Sequence, residues 1–332
     1  MFHRVGIVAS AVALVLAACG GGASEPGEPA QPTTTTVAPA TTTTAPATTT
    51  TAQDTGFPVT IETGNGPVII EQRPERIVSL SATATETLFA IGAGSQVLAV
   101  DDSSNHPSEA PIADLNGFTV TAESVAALDP DLVVYFFDPG DLADGLAVLS
   151  VPSIQQPAAL TLDDVYAQIE QLGVATGNAA AAVDLVASMS EEITGFEAAV
   201  TAAQRGEPTY YYELDQTLFS VTSITFVGHV FGRLGMVNIA DPADADGFGY
   251  PQLSPEFIIE QDPTLIFLAD TKCCAQNATT IAERPGWDQL AAVRDGSVIE
   301  LDDDIASRWG PRVVDLVGAA AEAVLAVDAA DA

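Results

Sequence analysis

The chain contains very few basic residues. Its 332 residues include 45 aspartates and glutamates against 10 lysines and arginines, which gives a formal net charge of −35. Lys272 is the only lysine. A surface of this charge repels phosphate groups, so the composition argues against binding to nucleic acid or to an anionic membrane surface. It also disfavours a strongly anionic ligand unless arginines cluster, although solubility alone explains an acidic surface.

Catalytic motifs are absent as well. The sequence contains no G-x-S-x-G, no H-E-x-x-H, no phosphate-loop signature and no dinucleotide-binding G-x-G-x-x-G. Beyond the N-terminal segment it has only two histidines, His106 and His229, which are far apart in sequence. We therefore predict that the protein is not an enzyme and needs no cofactor. A hydrolase that uses one histidine and a structural or adhesive lipoprotein are the alternatives.

No apolar run reaches the roughly 20 residues that a membrane-spanning helix needs. The apolar segment Val5–Ala18 follows Arg4 and ends in Leu16-Ala17-Ala18-Cys19, the lipobox pattern of a bacterial lipoprotein. We predict a signal peptide over 1–18 and an acylated Cys19 at the start of the mature chain. The protein is then anchored on the extracytoplasmic face by lipid alone. A plain signal peptide with an incidental cysteine is the alternative.

The segment 19–56 is rich in Thr, Pro, Ala and Gly, with threonine runs at Thr33–Thr36, Thr41–Thr44 and Thr48–Thr51. Such a composition cannot bury a core, so it predicts a disordered tether that lifts a globular body off the membrane. Threonine-rich and proline-rich stretches outside the cell are often O-glycosylated, which would stiffen the tether.

Cys273 and Cys274 are adjacent in a chain predicted to enter an oxidising compartment. A vicinal disulfide, a free thiol pair and a metal site are all open on the sequence. No other Cys or His lies at metal-ligand spacing nearby, so we predict no metal site.

Two stretches of the chain repeat one pattern. Glu123 opens ESVAALDPDLVV and Glu256 opens EFIIEQDPTLIF. Each predicts a short helix that begins with an acid and ends at Asp-Pro, followed by a strand without alternation, which is typical of a parallel sheet covered on both faces. The copies are about one domain length apart. We therefore predict two similar α/β lobes, although helix, Asp-Pro and strand can recur in any α/β protein.

The remaining patterns divide the globular part. The segments Val59–Ile61 and Val68–Ile70 predict a hairpin with a turn at Asn65-Gly66. A helical stretch, Thr161–Gln204, separates the two copies and is interrupted near Gly177-Asn178. The predicted organisation is an N-terminal lobe over 57–159, a connecting helix over 160–206 and a C-terminal lobe over 207–332.

Several motifs in order resemble one family. They are RIVSLSATATETLFAIGAGSQVLAVDDSSNHPSEA, AESVAALDPDLVV, GYPQLSPEFIIEQDPTLIF, RPGWDQLAAVRDGSVIEL and ASRWGPRVVD. Together they resemble the periplasmic-binding-protein family that serves ABC importers of ferric siderophores, haem and cobalamin, with Ala82 where the family usually has Pro. The resemblance covers residues 74–325. It implies two Rossmann-like lobes with central parallel sheets, joined by one long rigid helix, with the ligand cleft between the lobes.

The resemblance also implies a function. It predicts a monomeric substrate-binding lipoprotein that captures a metal chelate and delivers it to the membrane subunits of an ABC permease. Glu123 and Glu256 match the acids that pair with permease arginines; a solvated acid at a helix start is the alternative for each. The matched ligand-facing positions are Ser103, Ser104, His106, Phe118, Phe136, Tyr212, Tyr250, Arg308 and Trp309.

The resemblance does not fix the ligand. For Phe118 and Phe136 core packing is the alternative, and His106 is not expected to ligate metal, since the family takes its metal already chelated. With so few basic residues, a neutral or cationic ferric siderophore such as a hydroxamate is easier to accommodate than a trianionic catecholate. Cobalamin or another corrinoid is the alternative, and haem is a weaker one.

Overall fold

The computed structural model describes residues 56–63, 66–203 and 206–330. The predicted signal peptide, Cys19 and almost all of the predicted tether lie outside these residues, as do residues 64 and 65 of the predicted turn. On either side of that turn, β1 (Val59–Thr63) and β2 (Gly66–Ile70) form the predicted antiparallel hairpin, in which Thr63 pairs with Gly66. Ile61 and Ile70 are buried and attach the hairpin to the core.

The N-terminal lobe is built on a parallel sheet of four strands in the order β4-β3-β5-β6. The two central strands are buried at every residue, as their unbroken apolar runs predict. One helix lies between each strand and the next along the chain. The bounds are β3 Ile77–Leu80, α1 Ala82–Ala90, β4 Val97–Val100, α2 Ala122–Ala126, β5 Leu132–Tyr135, α3 Leu142–Val148 and β6 Ser153–Gln155.

The C-terminal lobe repeats this arrangement. Its parallel sheet has the order β10-β9-β7-β8, so in each lobe the first strand is central, between the second and the third. The internal repeat of the sequence is therefore a repeat of topology, and the prediction of two α/β lobes is confirmed. The bounds are β7 Thr209–Glu213, α6 Phe226–Arg233, β8 Val237–Asn238, α7 Pro255–Gln261, β9 Leu265–Leu268, α8 Ala278–Ala282, α9 Ala291–Arg294, β10 Val298–Glu300 and α10 Asp303–Ala306.

The helical stretch between the lobes is two helices, α4 (Leu162–Thr176) and α5 (Ala179–Ala203). Gly177 ends α4 in the left-handed conformation, with φ of 74°, at the interruption that the sequence predicts. Helix α4 packs on β1 and α1. The connection to the second lobe is therefore the long helix α5, which begins just after the predicted interruption.

Helix α5 contacts the C-terminal helix α11 (Val313–Ala330) along its length. The aromatic ring of Phe196 in α5 lies against Gly318 in α11, and Glu197 in α5 accepts a hydrogen bond of 2.5 Å from Nε of Arg233 in α6. These contacts fix α5 on the C-terminal lobe. Among the described residues, no helix has the length and apolar character needed to cross a membrane.

Candidate functional site

The repeat places Glu123 and Glu256 at equivalent positions. Each is exposed and is the second residue of its helix, α2 or α7, which precedes the third strand of its lobe. Thr121 caps α2 by accepting from the backbone N–H of Ser124, and Ser254 caps α7 in the same way. An acid in the first turn is favoured by the helix dipole, which explains its local stability without assigning its role.

The loop after β4 is organised around Asp101, which is 2% exposed. Its carboxylate accepts hydrogen bonds from the hydroxyls of Ser103 (2.9 Å) and Ser104 (2.5 Å). Burial raises the pKa of Asp101, and the two serine hydroxyls offset part of that shift. Ser104 is fully buried and its hydroxyl lies 2.9 Å from the hydroxyl of Thr85, so the side chain holds the loop, and its contact with ligand stays a prediction.

Ion pairs join the two lobes. Glu86 in α1 is 3% exposed and accepts hydrogen bonds from Arg308 (Nη1–Oε1, 2.8 Å) and Arg312 (Nη2–Oε1, 2.5 Å; Nε–Oε2, 2.9 Å). Arg308 also donates to Asn105 Oδ1 at 2.9 Å and to Asp304 Oδ1 at 2.8 Å. We refer to these five residues as the interlobe ion network.

Arg308 is fully engaged in this network, and its contact with ligand stays a prediction. Its side chain is only 10% exposed, and it donates to Glu86, Asp304, Asn105 and the backbone oxygen of Ser103. All four of these acceptors belong to the protein itself. The sequence could not reveal this, because Glu86 and Arg308 lie in different lobes.

Phe136 and Trp309 bring the two lobes together through aromatic contact. Their ring centroids are 5.2 Å apart in an edge-to-face arrangement. The indole N–H of Trp309 donates to Gln168 Oε1 at 3.2 Å. Both residues are half-buried, and Phe136 directly follows β5, at the strand end where open α/β sheets bind ligands.

The other predicted ligand residues are distributed differently. Ser103, His106 and Tyr250 are exposed, and His106 lines a small cavity of about 280 Å³ together with Glu86 and Arg312. Phe118 is also exposed but stacks on Phe137 at 5.7 Å. Tyr212 lies in the interior of the second lobe, and its contact with ligand stays a prediction. Its ring is fully buried among the residues of the second lobe, and its hydroxyl donates to the backbone oxygen of Ala306 at 3.0 Å.

Cys273 and Cys274 are joined as a vicinal disulfide in the loop after β9. The carboxylate of Asp303 in α10 accepts from the backbone N–H groups of Lys272 and Cys273, the latter at 2.8 Å. The ammonium of Lys272 donates to Asp302 at 2.6 Å and to Asp304 at 2.9 Å. The hydrogen bonds that Lys272 donates to these two carboxylates raise its pKa, so the single lysine is charged and already paired.

Sequence reasoning missed a buried polar cluster at the carboxyl ends of β7 and β9. Glu213 is fully buried and bonds Arg284 in a two-pronged pair (2.6 and 2.5 Å), while the guanidinium of Arg284 lies 4.6 Å from the Trp287 ring centre. Asp270 is fully buried beside it, and neither of its carboxylate oxygens has a hydrogen-bond partner among the described residues. Burial, followed by repulsion from Glu213, raises the pKa of Asp270 to about 7.

The sequence does carry a pattern that indicates this cluster. Glu213 and Asp270 both stand at the end of an apolar strand, the position where acids in an open α/β sheet converge. Within the described part of the chain, no group of three or more His, Cys, Asp or Glu side chains has a geometry that could hold a metal ion.

Two parallel α/β lobes joined by one long helix, with contacts between the lobes at the carboxyl ends of their strands, define the class of two-lobed binding proteins. The family described as periplasmic binding protein matches residues 77–305. The chain therefore belongs to the periplasmic binding protein family, as its motifs predict.

Named relatives of the chain include several substrate-binding and cobalamin-binding proteins. It is 30% identical over 282 residues to the uncharacterized ABC transporter substrate-binding lipoprotein YvrC of Bacillus subtilis, covering 81% of this chain and 86% of that one. It is 27% identical to the cobalamin-binding protein of Halobacterium salinarum, covering 78% and 72%. The crystal structure of the periplasmic vitamin B12 binding protein BtuF of Vibrio cholerae superposes with a TM-score of 0.64 at 26% identity, covering 75% and 96%.

Proposed function

We propose that the protein is the extracytoplasmic substrate-binding lipoprotein of an ABC importer. The main support is family membership over 77–305 together with the paired lobes and the Phe136–Trp309 contact between them. The relatives named above are transport and binding proteins, which favours a non-catalytic role. In this proposal the protein acts as a monomer that carries a metal chelate to the permease.

The charges near the strand ends favour a ligand without net negative charge. Lys272, Arg284, Arg308 and Arg312 are each ion-paired with a carboxylate of the protein at 2.5 to 2.9 Å. A trianionic chelate would have to break such a pair, which leaves a carboxylate in a poorly solvated place. A neutral or cationic chelate needs no such exchange, and aromatic edges suit its apolar body.

Two ligands meet this condition. A ferric hydroxamate is the candidate that the sequence favours, on the scarcity of basic residues alone. A corrinoid is favoured by a separate observation, since relatives found both by sequence and by structure are named as cobalamin or vitamin B12 binding proteins. Both are bulky and partly apolar, and neither requires an unpaired arginine.

Binding is tested by thermal shift and fluorescence with a ferric hydroxamate, a ferric catecholate, cyanocobalamin and haem. A ligand at about one hundred times its dissociation constant should add about 2.7 kcal/mol of stability. Trp309 fluorescence should fall when an iron chelate or corrinoid binds. The preferred ligand identifies the class, and no response to any of the four at micromolar concentration would contradict the proposal.

Attachment to the membrane is the second part of the proposal. It rests on Leu16-Ala17-Ala18-Cys19 and on the threonine-rich tether that follows. Cys19→Ala should move the protein from the membrane fraction to the soluble fraction. Mass spectrometry of the wild-type N-terminus should detect a lipid on Cys19; an unmodified wild type would show that the anchor is absent.

A further inference from the structure

The disulfide between Cys273 and Cys274 joins neighbouring residues in the loop between β9 and α8. A disulfide stabilises a fold mainly by closing a loop that is free in the unfolded chain, and the effect grows with the length of that loop. A bond between adjacent residues closes no such loop, so this disulfide adds little to stability as a cross-link.

Hydrogen bonds already hold the loop in place. The carboxylate of Asp303 in α10 accepts from the backbone N–H groups of Lys272 at 2.9 Å and Cys273 at 2.8 Å. It also accepts from the hydroxyl of Thr271 at 2.9 Å. The disulfide restricts only the backbone of the two cysteines, because it closes a small ring through both side chains. Reduction would therefore return conformational freedom to the residues that these hydrogen bonds hold.

The loop is connected to the interlobe ion network. The ammonium of Lys272 binds Asp302 at 2.6 Å and Asp304 at 2.9 Å, at the start of α10. Asp304 in turn accepts from Arg308 at 2.8 Å, and Arg308 donates to Glu86 of the N-terminal lobe. Because α10 has only four residues, its position depends on such side contacts more than on its own helical hydrogen bonds. Freedom gained at the disulfide should therefore weaken a contact between the lobes.

The disulfide is accessible from one side, and the chain supplies no thiol to react with it. Cys273 is exposed and Cys274 is half-buried, so an incoming thiolate reaches the sulfur of Cys273 first. The sequence has three cysteines, and the third, Cys19, is predicted to carry lipid. Exchange therefore requires a thiol from another molecule.

The charge around the disulfide favours some thiols over others. The start of α10 supplies three carboxylates, Asp302, Asp303 and Asp304, and Lys272 is the cation that binds them. This surplus of negative charge, in a chain of formal net charge −35, repels a small anionic thiol such as glutathione. A dithiol protein with a neutral or basic surface around its reactive cysteine avoids this repulsion, and it carries the second thiol that completes the exchange.

We propose that Cys273–Cys274 is a thiol–disulfide exchange site for an extracytoplasmic dithiol protein, and that its reduction loosens the contact of Arg308 with the N-terminal lobe. This inference goes beyond the importer function and does not depend on the identity of the ligand.

The exchange balances in two steps. A thiolate of the partner attacks Sγ of Cys273, the bond between the two sulfurs breaks, and Cys274 leaves as a thiolate that takes a proton from water. The partner's second thiolate then attacks its own sulfur in the mixed disulfide, and Cys273 leaves and is protonated. The cysteine pair gains two electrons and two protons, and the partner is oxidised to a disulfide.

Exchange is tested on the full-length lipoprotein in detergent, with reduced thioredoxin as the dithiol protein and reduced glutathione as the small thiol. Alkylation and mass spectrometry of the peptide with both cysteines measure the reduced fraction. At equal thiol concentration, thioredoxin should reduce the pair at least about tenfold faster. The glutathione rate should rise with added salt, because salt screens the repulsion. A thioredoxin variant without its second cysteine should be trapped on Cys273. No reduction by thioredoxin, equal rates with both thiols, or trapping on Cys274 would overturn the inference.

Acrylamide quenching measures the effect on the lobes. The chain has two tryptophans, and Trp287 is only 1% exposed, so quenching reports Trp309, which contacts Phe136 of the other lobe. Reduction with dithiothreitol should increase quenching about twofold, because Trp309 separates from its partner more often. Cys273→Ser together with Cys274→Ser should give the same increase without a reductant. Unchanged quenching in the reduced wild type would refute the coupling between disulfide and lobes, whatever the double variant does.

Lys272→Met tests the connection between the loop and α10. Methionine keeps an unbranched side chain but cannot bind Asp302 or Asp304, so quenching of Trp309 should already be high in the oxidised variant. Reduction should then add little, because the two changes remove the same contacts and are not additive. Arg294→Met, at an exposed position of the same lobe, is the control and should respond to reduction as the wild type does. A full response to reduction in Lys272→Met would contradict the proposed connection.

Discussion

At the scale of single residues, Asp270 is a buried carboxyl group whose surroundings favour its protonated form. Its pKa is raised from an ordinary value of 3.8 to about 7, so the folded state binds a proton that the unfolded state releases near pH 4. The stability that this proton supplies is therefore complete below about pH 4 and is lost as the pH rises to about 7. The full change corresponds to a free energy of unfolding on the order of 4 kcal/mol.

Asp270→Asn should remove this dependence. The amide is neutral at every pH and can donate a hydrogen bond to Glu213, which a carboxylate cannot do. Asp270→Asn should raise the free energy of unfolding above that of the wild type by more at pH 8 than at pH 5. Urea unfolding of both proteins at the two pH values measures this difference. Asp114→Asn, at an exposed position, is the control and should leave the pH dependence unchanged. An identical pH dependence in wild type and Asp270→Asn would contradict the raised pKa.

Glu86 is the residue on which the interlobe ion network depends. It satisfies two arginine side chains that are 10% and 20% exposed. Glu86→Gln keeps the size of the side chain but leaves both guanidinium groups without their shared carboxylate, and removing one partner of a buried ion pair typically costs about 3–5 kcal/mol. Urea unfolding should show a loss in this range. Glu322→Gln, an exposed change in α11, should cost less than about 0.5 kcal/mol.

The sequence was a good guide to functional positions that lie in the internal repeat. It was a poor guide where the prediction depended on the direction in which a side chain points. Glu123 and Glu256 were identified because the same pattern of a helix start occurs twice in the sequence. The orientation of Tyr212 could not be predicted, because a strand buried on both faces has no alternation to tell which side chain points out. Ser104 lies in the loop after β4, which has no periodic pattern at all. The partner of Arg308 could not be predicted, since the pairing depends on how the lobes pack.

At the scale of elements, the elements predicted from the sequence are those with strong local signals. The Asp-Pro stops of α2 and α7 are confirmed: Asp129 and Asp262 both leave the helical region with positive φ, 54° and 41°. The sequence did not predict β8, which is two residues long, or α9 and α10, which are four residues each. Such short elements are formed by tertiary contacts and carry no periodic pattern of their own.

The junction of α4 and α5 gives a prediction at this scale. A Cβ on Gly173 would lie 2.4 Å from the Cβ of Ala182, so Gly173→Ala should force the two helices apart at a cost of about 1–3 kcal/mol. Gly195→Ala is a matched control in the exposed interior of α5, where an added Cβ meets nothing within 4 Å. That control should instead stabilise by about 0.5–1 kcal/mol. Thermal or urea unfolding measures the stability of both variants. Equal changes in stability for Gly173→Ala and Gly195→Ala would contradict the close contact between α4 and α5.

At the scale of the whole molecule, the fold class was predictable because two motif copies and one long helical stretch specify two lobes and a connection. The candidate ligand surface was only partly predictable. Phe136 and Trp309 do meet, as matched positions in two lobes should, but the pairing of the cationic groups with internal carboxylates depends on the relative placement of elements from both lobes. The proposal that the ligand carries no net negative charge rests more on this pairing than on the amino-acid composition.

The double variant Glu123→Ala with Glu256→Ala tests docking at this scale. Both acids are exposed and are not part of the interlobe ion network, so folding and ligand affinity should be retained, the latter within about threefold. Uptake by cells should collapse, and residual uptake should fall further at high ionic strength, because salt screens the contacts that remain. Normal uptake, or a large loss of ligand affinity, would give these acids another role.

Helix α5 has a consequence for the proposed transport complex. At 25 residues it is about 37 Å long; it packs against α11 in the C-terminal lobe, and its other end continues from α4, which packs on β1 and α1 of the N-terminal lobe. With a single helix as the connection, we expect the separation between Glu123 and Glu256 to change little. If both acids dock as proposed, the two receiving sites of the permease must match that length, and a permease whose sites differ by one helical turn, about 5.4 Å, would engage only one acid at a time. Distance, and not charge alone, would then decide which importer this protein can serve.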